Sequence, residues 1–387
     1  VRALQAGPDM DMVSCGFLNT LEESLKEGKV TEEQINAACR RVLEAKYKLG
    51  LFSDPYKYCD TLRVEKELYT TAHRAVAREI AAETFVLLKN EDHLLPLERK
   101  GKIALIGPMA DARNNMCGMW SMTCTPSCHG TLLEGIRSAA GDKAEILYAR
   151  GSNIYHDAEL EKGGAGIRPL ERGNELQLLD EALHTAARAD VIVAALGECA
   201  EMSGESASRT ELGIPDAQQD LLKALVKTGK PVVLLLFTGR PLVLNWEDAN
   251  VHSILNVWFG GSETGDAIAD VLFGKVTPGG KLTTTFPRSV GQLPLYYNHL
   301  NTGRPDPDSH SFNRYSSNYL DMSNEPLYPF GYGLSYTNFS YGNLQLSSDV
   351  LSRNGELTVS VTVTNDGDFD GYEIVQMYLH DIYAEIS

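Results

Sequence analysis

The 387-residue sequence contains no long apolar segment and no excess of basic residues. A helix that spans a bilayer needs roughly 20 consecutive apolar residues, and no run here approaches that length. Lysine and arginine number 35 against 52 aspartates and glutamates, which gives a net charge of −17 at pH 7. Nucleic acid and anionic membrane surfaces are therefore not expected as partners.

Cysteine is also too scattered for a disulfide-dense fold, since the seven cysteines are an odd number spread along the chain. Cys117, Cys124 and Cys128 do lie within twelve positions, with His129 adjacent, but their spacing is not that of a zinc ribbon. We interpret them as loop thiols, or as one local disulfide in an oxidising compartment, in preference to a metal site. No metal and no cofactor is predicted. A Gly-rich phosphate loop at a strand-to-helix turn, which a nucleotide-binding domain would need, is missing.

Both ends of the sequence have the pattern of a longer protein's interior. Val1 leads directly into a well-formed segment, without the charged and apolar regions of a signal peptide. The final "VQMYLHDIYAEIS" has the pattern of an unfinished strand. We therefore expect an interior fragment, in which a missing targeting signal gives no information about the compartment.

Apolar strands alternate with amphipathic helices through the middle of the sequence. Runs such as "KIALIGP" and "DVIVAALG" are apolar throughout, whereas "HGTLLEGIRSAA" and "DAQQDLLKALVKTG" have helical periodicity. This alternation predicts an α/β fold with a mostly parallel sheet that helices cover on both faces. Before it, "TEEQINAACRRVLEAKYKLG" predicts a helix capped by Thr31 and ended at Gly50. After it, "GELTVSVTVTNDGD" alternates with period two, as antiparallel strands do.

The most unusual loop is "GECAEMSGESASR", Gly197–Arg209, which directly follows a buried strand. Loops longer than about a dozen residues are usually functional or disordered, and ligands of parallel sheets bind outside the carboxyl ends of the strands. A carboxyl group there can act as a general acid or, once ionised, as a base, and glycoside hydrolysis uses a pair of them. This chemistry leaves Glu198, Glu201, Glu205 and Glu211 open, against the alternative of solvated charges or partners of an arginine.

Six other segments are informative when they are taken with this loop in their order along the chain. They are "AGPDMDM", "CRRVLEAKYKLGLFSDPY", "ETFVLLKNEDHLLPL", "KIALIGPMAD", "GGSETGDAIADVLFGKVTPGGKLTTTFP" and "YPFGYGLSYTNF". Together they resemble glycoside hydrolase family 3, particularly its bacterial β-glucosidases, over almost the whole chain. The resemblance implies five regions: the last part of a TIM-like (β/α)8 barrel (1–50), a linker (51–80), an α/β-sandwich domain (81–300), a loop-rich linker (301–340) and a truncated fibronectin-III-like domain (341–387).

The resemblance also implies a retaining exo-acting β-glycosidase that releases terminal β-D-glycosyl residues by double displacement. The family's general acid/base glutamate falls in "SGES" at Glu205. Glu201 is the alternative, because Ser206 stands where many relatives have glycine. Arg209 matches a position near the acid/base and is expected to order the loop.

The family's nucleophile is an aspartate upstream of the "AGPDM" segment, so it is expected outside this chain. Asp9 and Asp11 match barrel-end positions and are interpreted as structural. For this reason we expect the fragment alone to be inactive.

Substrate binding is expected at Trp120 and Ser121 in "MCGMWSMTC", and at Ser203. A tryptophan can stack on a sugar because it combines apolar area with a polar group, although an ordinary packed loop residue is the competing interpretation. Glu263 in "GGSETG" is expected to cap the following helix, where a carboxylate complements the helix dipole.

Two alternatives remain open. One is a β-xylosidase or a glycosidase of mixed specificity, because the residues that choose the sugar lie mostly upstream. The other is a non-catalytic carbohydrate-binding α/β domain that keeps the fold without the carboxylate pair. The expected partner is an oligosaccharide or an aryl or alkyl β-glycoside. The resemblance leaves a homodimer of the full-length protein open, and suggests a periplasmic or secreted location.

Overall fold

The computed structural model describes residues 1–121, 125–164, 171–299, 303–305 and 313–380. The chain divides into two units, Val1–Thr70 and Thr71–Ser387. The five regions expected from the sequence have finer boundaries than this division, and those boundaries stay predictions.

The first unit is helical. Its small core joins Leu4, Val30 and Ala38. The hydroxyl of Thr31 accepts a hydrogen bond from the backbone N–H of Gln34, whose side chain accepts one from the Thr31 N–H, so Thr31 is the predicted cap. The helices are α1 (Arg2–Ala6), α2 (Gly16–Lys26), α3 (Glu32–Lys48) and α4 (Arg63–Glu67).

The second unit contains alternating strands and helices. Its helices are α5 (Thr71–Thr84), α6 (Leu132–Ala140), α7 (Ala158–Gly164), α8 (Glu175–Ala187), α9 (Asp216–Val226), α10 (Asn245–Asn250) and α11 (Thr264–Leu272). Its strands are β1 (Val86–Asn90), β2 (Lys102–Ile106), β3 (Glu145–Ala149), β4 (Val191–Gly197), β5 (Val232–Phe237), β6 (Ser253–Asn256), β7 (Phe339–Leu346) and β8 (Val359–Asn365).

Six of the described strands form one sheet in the order β1-β6-β5-β4-β2-β3. All neighbours are parallel except β1, which pairs with β6 in the antiparallel sense. This confirms the predicted mostly parallel sheet. The physical reason is the apolar character of both faces of each strand, which requires helices on both sides of the sheet.

Successive strand residues enter two separate cores. On β5, Val233 and Leu235 pack into a core with α6 and α11, whereas Val232, Leu234 and Leu236 pack into a core with α8 and α9. All five are fully or almost fully buried. The side-chain period of two therefore divides a continuous apolar run between the two faces of the sheet.

The period-two segment near the end of the chain does form antiparallel strands. β7 and β8 pair with each other, and the register shifts between Gly342 and Gln345. Most side chains of these two strands are exposed. The assignment of this pair to a fibronectin-III-like domain stays a prediction.

Glu263 lies at the start of the following helix, as expected, and its carboxylate has an additional long-range partner. Glu263 does occupy the N-cap position of α11, but its side chain makes no capping hydrogen bond. Its two oxygens instead accept hydrogen bonds of 2.8 and 3.1 Å from Arg74 on α5. A nearby guanidinium offers the buried carboxylate a stronger, charge-assisted partner than the backbone does.

Helix α6 begins with a capping box, and removing this capping box should measurably lower the stability of the protein. The buried hydroxyl of Thr131 accepts a 3.3 Å hydrogen bond from the Glu134 N–H, and Glu134 accepts one of 2.9 Å from the Thr131 N–H. Thr131→Ala is expected to lower the free energy of unfolding by about 1 kcal/mol in urea titrations. Ser138→Ala removes an exposed hydroxyl from the same helix and is the control. Equal stability of both variants would contradict the role of the cap.

Among the described residues, no helix combines the length and the apolar composition that crossing a bilayer would require.

Candidate active site

The carboxyl ends of the central strands form one edge of the sheet, where ligands of parallel sheets bind. The chain leaves β4 at Gly197, which has a φ of 133° and lies beside Phe237 on β5. A Cβ on Gly197 would stand 1.9 Å from the Phe237 carbonyl oxygen, so only glycine fits this turn. Four segments that leave this edge are named here by the strand they follow: the β2 loop (107–131), the β4 loop (198–215), the β5 loop (238–244) and the β6 loop (257–263).

A fully buried carboxylate, Glu198, opens the β4 loop. Its Oε1 accepts a 2.7 Å hydrogen bond from Arg209 Nη1 and lies 3.1 Å from Arg240 Nε in an ion pair. Its Oε2 accepts a 3.1 Å hydrogen bond from the Gly239 N–H and lies 3.0 Å from the Thr238 hydroxyl. A buried charge is tolerated when it is paired and hydrogen-bonded in this way. Glu198 therefore acts as a fixed anion between the β4 and β5 loops.

The two arginines on Glu198 also hold the backbone of the β4 loop. Arg240 Nη2 donates hydrogen bonds to the carbonyl oxygens of Met202 and Ala207, the latter at 2.6 Å. Arg209 Nη2 donates a 3.0 Å hydrogen bond to the carbonyl oxygen of Gly213. The loop is thus anchored at three backbone positions by side chains that one carboxylate aligns.

The β2 loop and the β4 loop are in contact. A methyl group on Gly204 would stand 3.1 Å from Met119 Cγ and 3.2 Å from Trp120 Nε1. Gly204 has a φ of 98°, which favours glycine a second time. Because Glu205 follows directly, the predicted acid/base residue and the predicted sugar-stacking tryptophan belong to touching segments.

Buried groups below this contact join the loops to one another. The side-chain oxygen of the fully buried Asn115 accepts a 2.8 Å hydrogen bond from the Ala200 N–H, which ties the β2 loop to the β4 loop. Phe259 lies between two glycines: a Cβ on Gly118 would stand 2.9 Å from Phe259 Cβ, and one on Gly239 would stand 3.6 Å from Phe259 Cε2. Phe259 of the β6 loop therefore packs between the β2 loop and the β5 loop at this edge.

The structure gives the predicted site residues different surroundings. Glu205 is exposed, and Trp120 is 71% exposed. Ser121 donates a 2.6 Å hydrogen bond to the Gly118 carbonyl oxygen, while Ser203 is only 7% exposed and faces Gly239. Burial favours a packing role for Ser203. The catalytic and substrate-binding roles of these residues stay predictions.

The remaining carboxylate candidates lie elsewhere or are engaged. Glu201 lies half-buried in the short 3-10 turn Ala200–Met202. In the first unit, the Arg41 guanidinium hydrogen-bonds Asp9 and lowers the pKa of that carboxyl. The hydroxyl of Ser14 does the same for the pKa of Asp11, which also accepts a hydrogen bond from the backbone. These contacts favour the structural interpretation of both aspartates.

Sequence reasoning did not identify Arg240 or Asn115, and it did not separate Glu198 from its neighbours. Glu198 directly follows β4, and Arg240 lies three residues after β5. Charged residues just beyond two adjacent apolar strands were the available signal, because parallel neighbours end at the same edge.

The cysteines near this edge have distinct states. Cys117 is disulfide-bonded, whereas Cys128 is an exposed thiol and Cys124 lies outside the described residues. Burial raises the pKa of the Cys199 thiol to about 12, so this thiol stays protonated. Within the described part of the chain, no group of three histidine, cysteine, aspartate or glutamate side chains is arranged to hold a metal ion.

Residues 85–336 match the family model of the glycosyl hydrolase family 3 C-terminal domain. The chain belongs to glycosyl hydrolase family 3. The matched range begins just before β1 and ends just before β7, so it contains the whole six-stranded sheet and the four loops. The resemblance drawn from the sequence is thereby confirmed.

Individual family 3 relatives extend the match beyond this domain. The chain is 46% identical to a periplasmic β-glucosidase of Salmonella typhimurium over 395 residues, covering 100% of the chain and 51% of the relative. It is 37% identical to a β-xylosidase of Formosa agariphila, covering 100% of the chain and 52% of the relative.

A solved family 3 structure also matches the fold. The crystal structure of a β-glucosidase from Listeria innocua in complex with glucose matches with a TM-score of 0.85 and 35% identity, covering 99% of this chain and 49% of that one. The chain thus spans about half the length of the curated relatives it matches.

Proposed function

We propose that this chain carries the general acid/base residue, Glu205, of a retaining exo-acting β-glycosidase of the β-glucosidase type. In this proposal the nucleophilic aspartate belongs to a region upstream of Val1. Membership of family 3 and the coverage of about half of each relative support this division of the catalytic pair.

One observation carries the assignment of the acid/base. Glu205 lies exposed on the β4 loop, directly after a glycine that packs against Trp120. A proton donor for a glycosidic oxygen must be accessible to the substrate and held by a defined scaffold. The buried Glu198 meets the second requirement but not the first. Glu205 combines an accessible carboxyl group with an anchored loop.

The proposed reaction has two steps in which protons balance. In the first, the Glu205 carboxylic acid gives its proton to the glycosidic oxygen while the upstream aspartate forms a covalent bond to the anomeric carbon. The alcohol leaves. In the second, the Glu205 carboxylate accepts a proton from a water molecule, whose oxygen displaces the aspartate and releases the sugar with retained configuration.

The names of the relatives guide the choice of glycone. The Salmonella and Acetivibrio relatives are named β-glucosidases, and Listeria β-glucosidase structures were solved with glucose and with laminaribiose. A β-glucosyl unit is therefore our first choice of substrate. The Formosa relative at 37% identity is named a β-xylosidase, which keeps a β-xyloside as the second candidate.

A periplasmic or secreted location is part of the proposal. The Salmonella relative is named periplasmic. The disulfide bond of Cys117 supports the same location, because such bonds persist in oxidising compartments.

The stereochemistry of hydrolysis tests the proposed reaction. With the upstream region restored, the full-length protein should convert p-nitrophenyl β-D-glucoside into the β-anomer of glucose before mutarotation. Proton NMR of the anomeric signals during the first minutes of the reaction is the measurement. The p-nitrophenyl β-D-xyloside, measured in parallel, ranks the two candidate glycones by kcat/KM.

Two outcomes would overturn the proposal. Initial release of the α-anomer would mean inversion and a different use of the carboxylates. The absence of turnover on every β-glycoside, by a folded full-length protein that still binds sugar, would favour the non-catalytic carbohydrate-binding alternative.

A further inference from the structure

The segment that carries Glu205 has little regular structure of its own. After the 3-10 turn Ala200–Met202, the next helix begins only at Asp216. Gly204 and Ser206, on either side of Glu205, both have positive φ angles, of 98° and 60°. A proton donor loses efficiency when its position relative to the substrate varies, so this segment needs external support.

Arg240 from the neighbouring β5 loop supplies that support on both sides of Glu205. One nitrogen of its guanidinium, Nη2, donates to the carbonyl oxygens of Met202 and Ala207, three residues before and two residues after Glu205. Its side chain is 21% exposed, so water competes weakly for these bonds. The guanidinium therefore closes the base of the loop that presents Glu205.

Glu198 fixes the orientation of Arg240. It lies 3.1 Å from the Nε of Arg240 in an ion pair, and it is fully buried. The same carboxylate binds Arg209, which holds the carbonyl oxygen of Gly213 at the end of the loop. Buried charge pairs of this kind have few alternative arrangements, because each would leave an unpaired charge.

We propose that Arg240, aligned by Glu198, is a positioning residue that sets the place of the Glu205 carboxyl group through the backbone at residues 202 and 207. This inference rests on the proposed function of Glu205 as acid/base. Arg240 does not touch the substrate in this scheme. It acts on proton transfer alone, so its removal should affect the steps in which Glu205 donates or accepts a proton.

The chemistry of the side chain makes lysine a useful conservative replacement. A guanidinium presents several N–H donors in a rigid plane, whereas the lysine ammonium is a single compact charge on a flexible stem. Arg240→Lys keeps the charge beside Glu198 but is not expected to hold both carbonyls as well. Its activity should lie between those of the wild type and Arg240→Ala, and it should still fold if Arg240→Ala does not.

The test is a double-mutant cycle in the full-length protein with two aryl β-glucosides. For phenyl β-glucoside, whose departing oxygen needs a proton, Arg240→Ala should lower kcat/KM by on the order of 10²-fold. For dinitrophenyl β-glucoside, whose glycosylation step needs little acid assistance, kcat/KM should change far less. In Glu205→Gln, the added Arg240→Ala change should have almost no further effect on phenyl β-glucoside, because Arg240 acts through a group that is already gone.

Arg78 provides a matched control. Its guanidinium also binds a largely buried carboxylate, with hydrogen bonds of 2.5 and 2.7 Å to Asp270 on α11. Arg78→Ala and Arg78→Lys should lower the unfolding temperature and leave the ratio of the two substrates unchanged. Thermal unfolding of all variants separates loss of folded protein from loss of proton transfer.

The possible outcomes separate the inference from the proposed function. In one outcome, Glu205→Gln loses activity, but Arg240→Ala and Arg240→Lys lower kcat/KM equally for both substrates. If, in addition, the fold-loss of each Arg240 variant multiplies with that of Glu205→Gln in the double variant, the positioning role is wrong and the proposed function stands. If Glu205→Gln keeps wild-type kinetics on phenyl β-glucoside, both the acid/base assignment and the positioning role are wrong.

Discussion

Replacing Glu205 with glutamine in the full-length protein is expected to lower kcat/KM for phenyl β-glucoside by about 10²–10⁴-fold, the usual contribution of general acid–base catalysis. Glutamine keeps the shape of the side chain but has no acidic proton to give. The departing phenoxide would then leave without protonation, which is slow for a basic leaving group. Steady-state kinetics on a series of aryl β-glucosides of increasing leaving-group acidity measures the effect.

For the aryl β-glucosides with the most acidic leaving groups, the loss of kcat/KM in Glu205→Gln should disappear. Hydrolysis of the glycosyl-enzyme, the second step, should then limit turnover. With dinitrophenyl β-glucoside the first step needs little acid assistance, so the glycosyl-enzyme accumulates because no base activates water. Azide is already a nucleophile and needs no base. Adding azide should therefore raise kcat of Glu205→Gln and give β-glucosyl azide, which mass spectrometry and NMR identify.

Two glutamates of the same loop are the controls for this prediction. Glu211→Gln changes an exposed carboxylate of the β4 loop and should leave kinetics at wild-type values. Glu201→Gln tests the alternative assignment. Azide rescue in Glu201→Gln together with wild-type behaviour of Glu205→Gln would move the acid/base to Glu201.

The sheet could be predicted because its physical cause is local. β4 and β5 are apolar throughout, and a strand with two apolar faces requires cover on both sides. The structure confirms this, because Val232 and Val233, which are adjacent on β5, pack into two different cores. The order of the strands could not be obtained in this way, since nothing in an apolar run specifies its neighbours.

The site could be predicted only in part, because its decisive contacts join residues that are distant in sequence. Glu205 was found through its resemblance to a family motif. Arg240 lies 33 residues after Ala207, whose carbonyl oxygen it binds. The contact exists because β4 and β5 are parallel neighbours, with Gly197 beside Phe237. Without that register the sequence gives no reason to choose this arginine over others.

Long-range pairing also explains why the contact between Glu263 and Arg74 was not predicted from the sequence. A carboxylate at the start of a helix is stabilised by the dipole by about 0.3–1 kcal/mol, and sequence reasoning detects only that local effect. Arg74 lies 189 residues earlier, and its Nε and Nη2 donate hydrogen bonds to the two carboxylate oxygens of Glu263. This charge-assisted bidentate contact adds to the local effect, and the spacing of residues along the sequence does not reveal it.

The same loop thus contains two glutamates in opposite surroundings. Glu198 is fully buried among two arginines and a backbone N–H, whereas Glu205 is exposed. The carboxylate of Glu198 is engaged by its neighbours, whereas that of Glu205 is open to a substrate. Stability should therefore depend on Glu198 and not on Glu205, whereas proton transfer should depend on Glu205 directly and on Glu198 only through Arg240.

Glu198→Ala is expected to lower the free energy of unfolding by about 3–5 kcal/mol, the usual cost of removing one partner of a buried ion pair. The substitution would leave Arg209 and Arg240, 12% and 21% exposed, facing each other without an anion. It would also remove the acceptor of the Gly239 N–H. Urea and thermal unfolding of the full-length protein are the measurements, with Glu205→Gln expected to unfold like the wild type.

Glu263→Ala is the matched control, because it also removes a buried carboxylate from an arginine. The side chain of Glu263 is 4% exposed, but that of its partner Arg74 is 46% exposed. Water can solvate Arg74 once the carboxylate is gone, so the loss should be about 1 kcal/mol. The loss in free energy of unfolding for Glu198→Gln should lie between those for Glu198→Ala and Glu263→Ala. Glutamine keeps one acceptor for Arg209, but its amide N–H₂ would face the Gly239 N–H.

A stability of Glu198→Ala equal to that of Glu263→Ala would mean that the two arginines of the β4 and β5 loops find water or other partners. The anchoring of the acid/base loop by a buried anion would then be wrong.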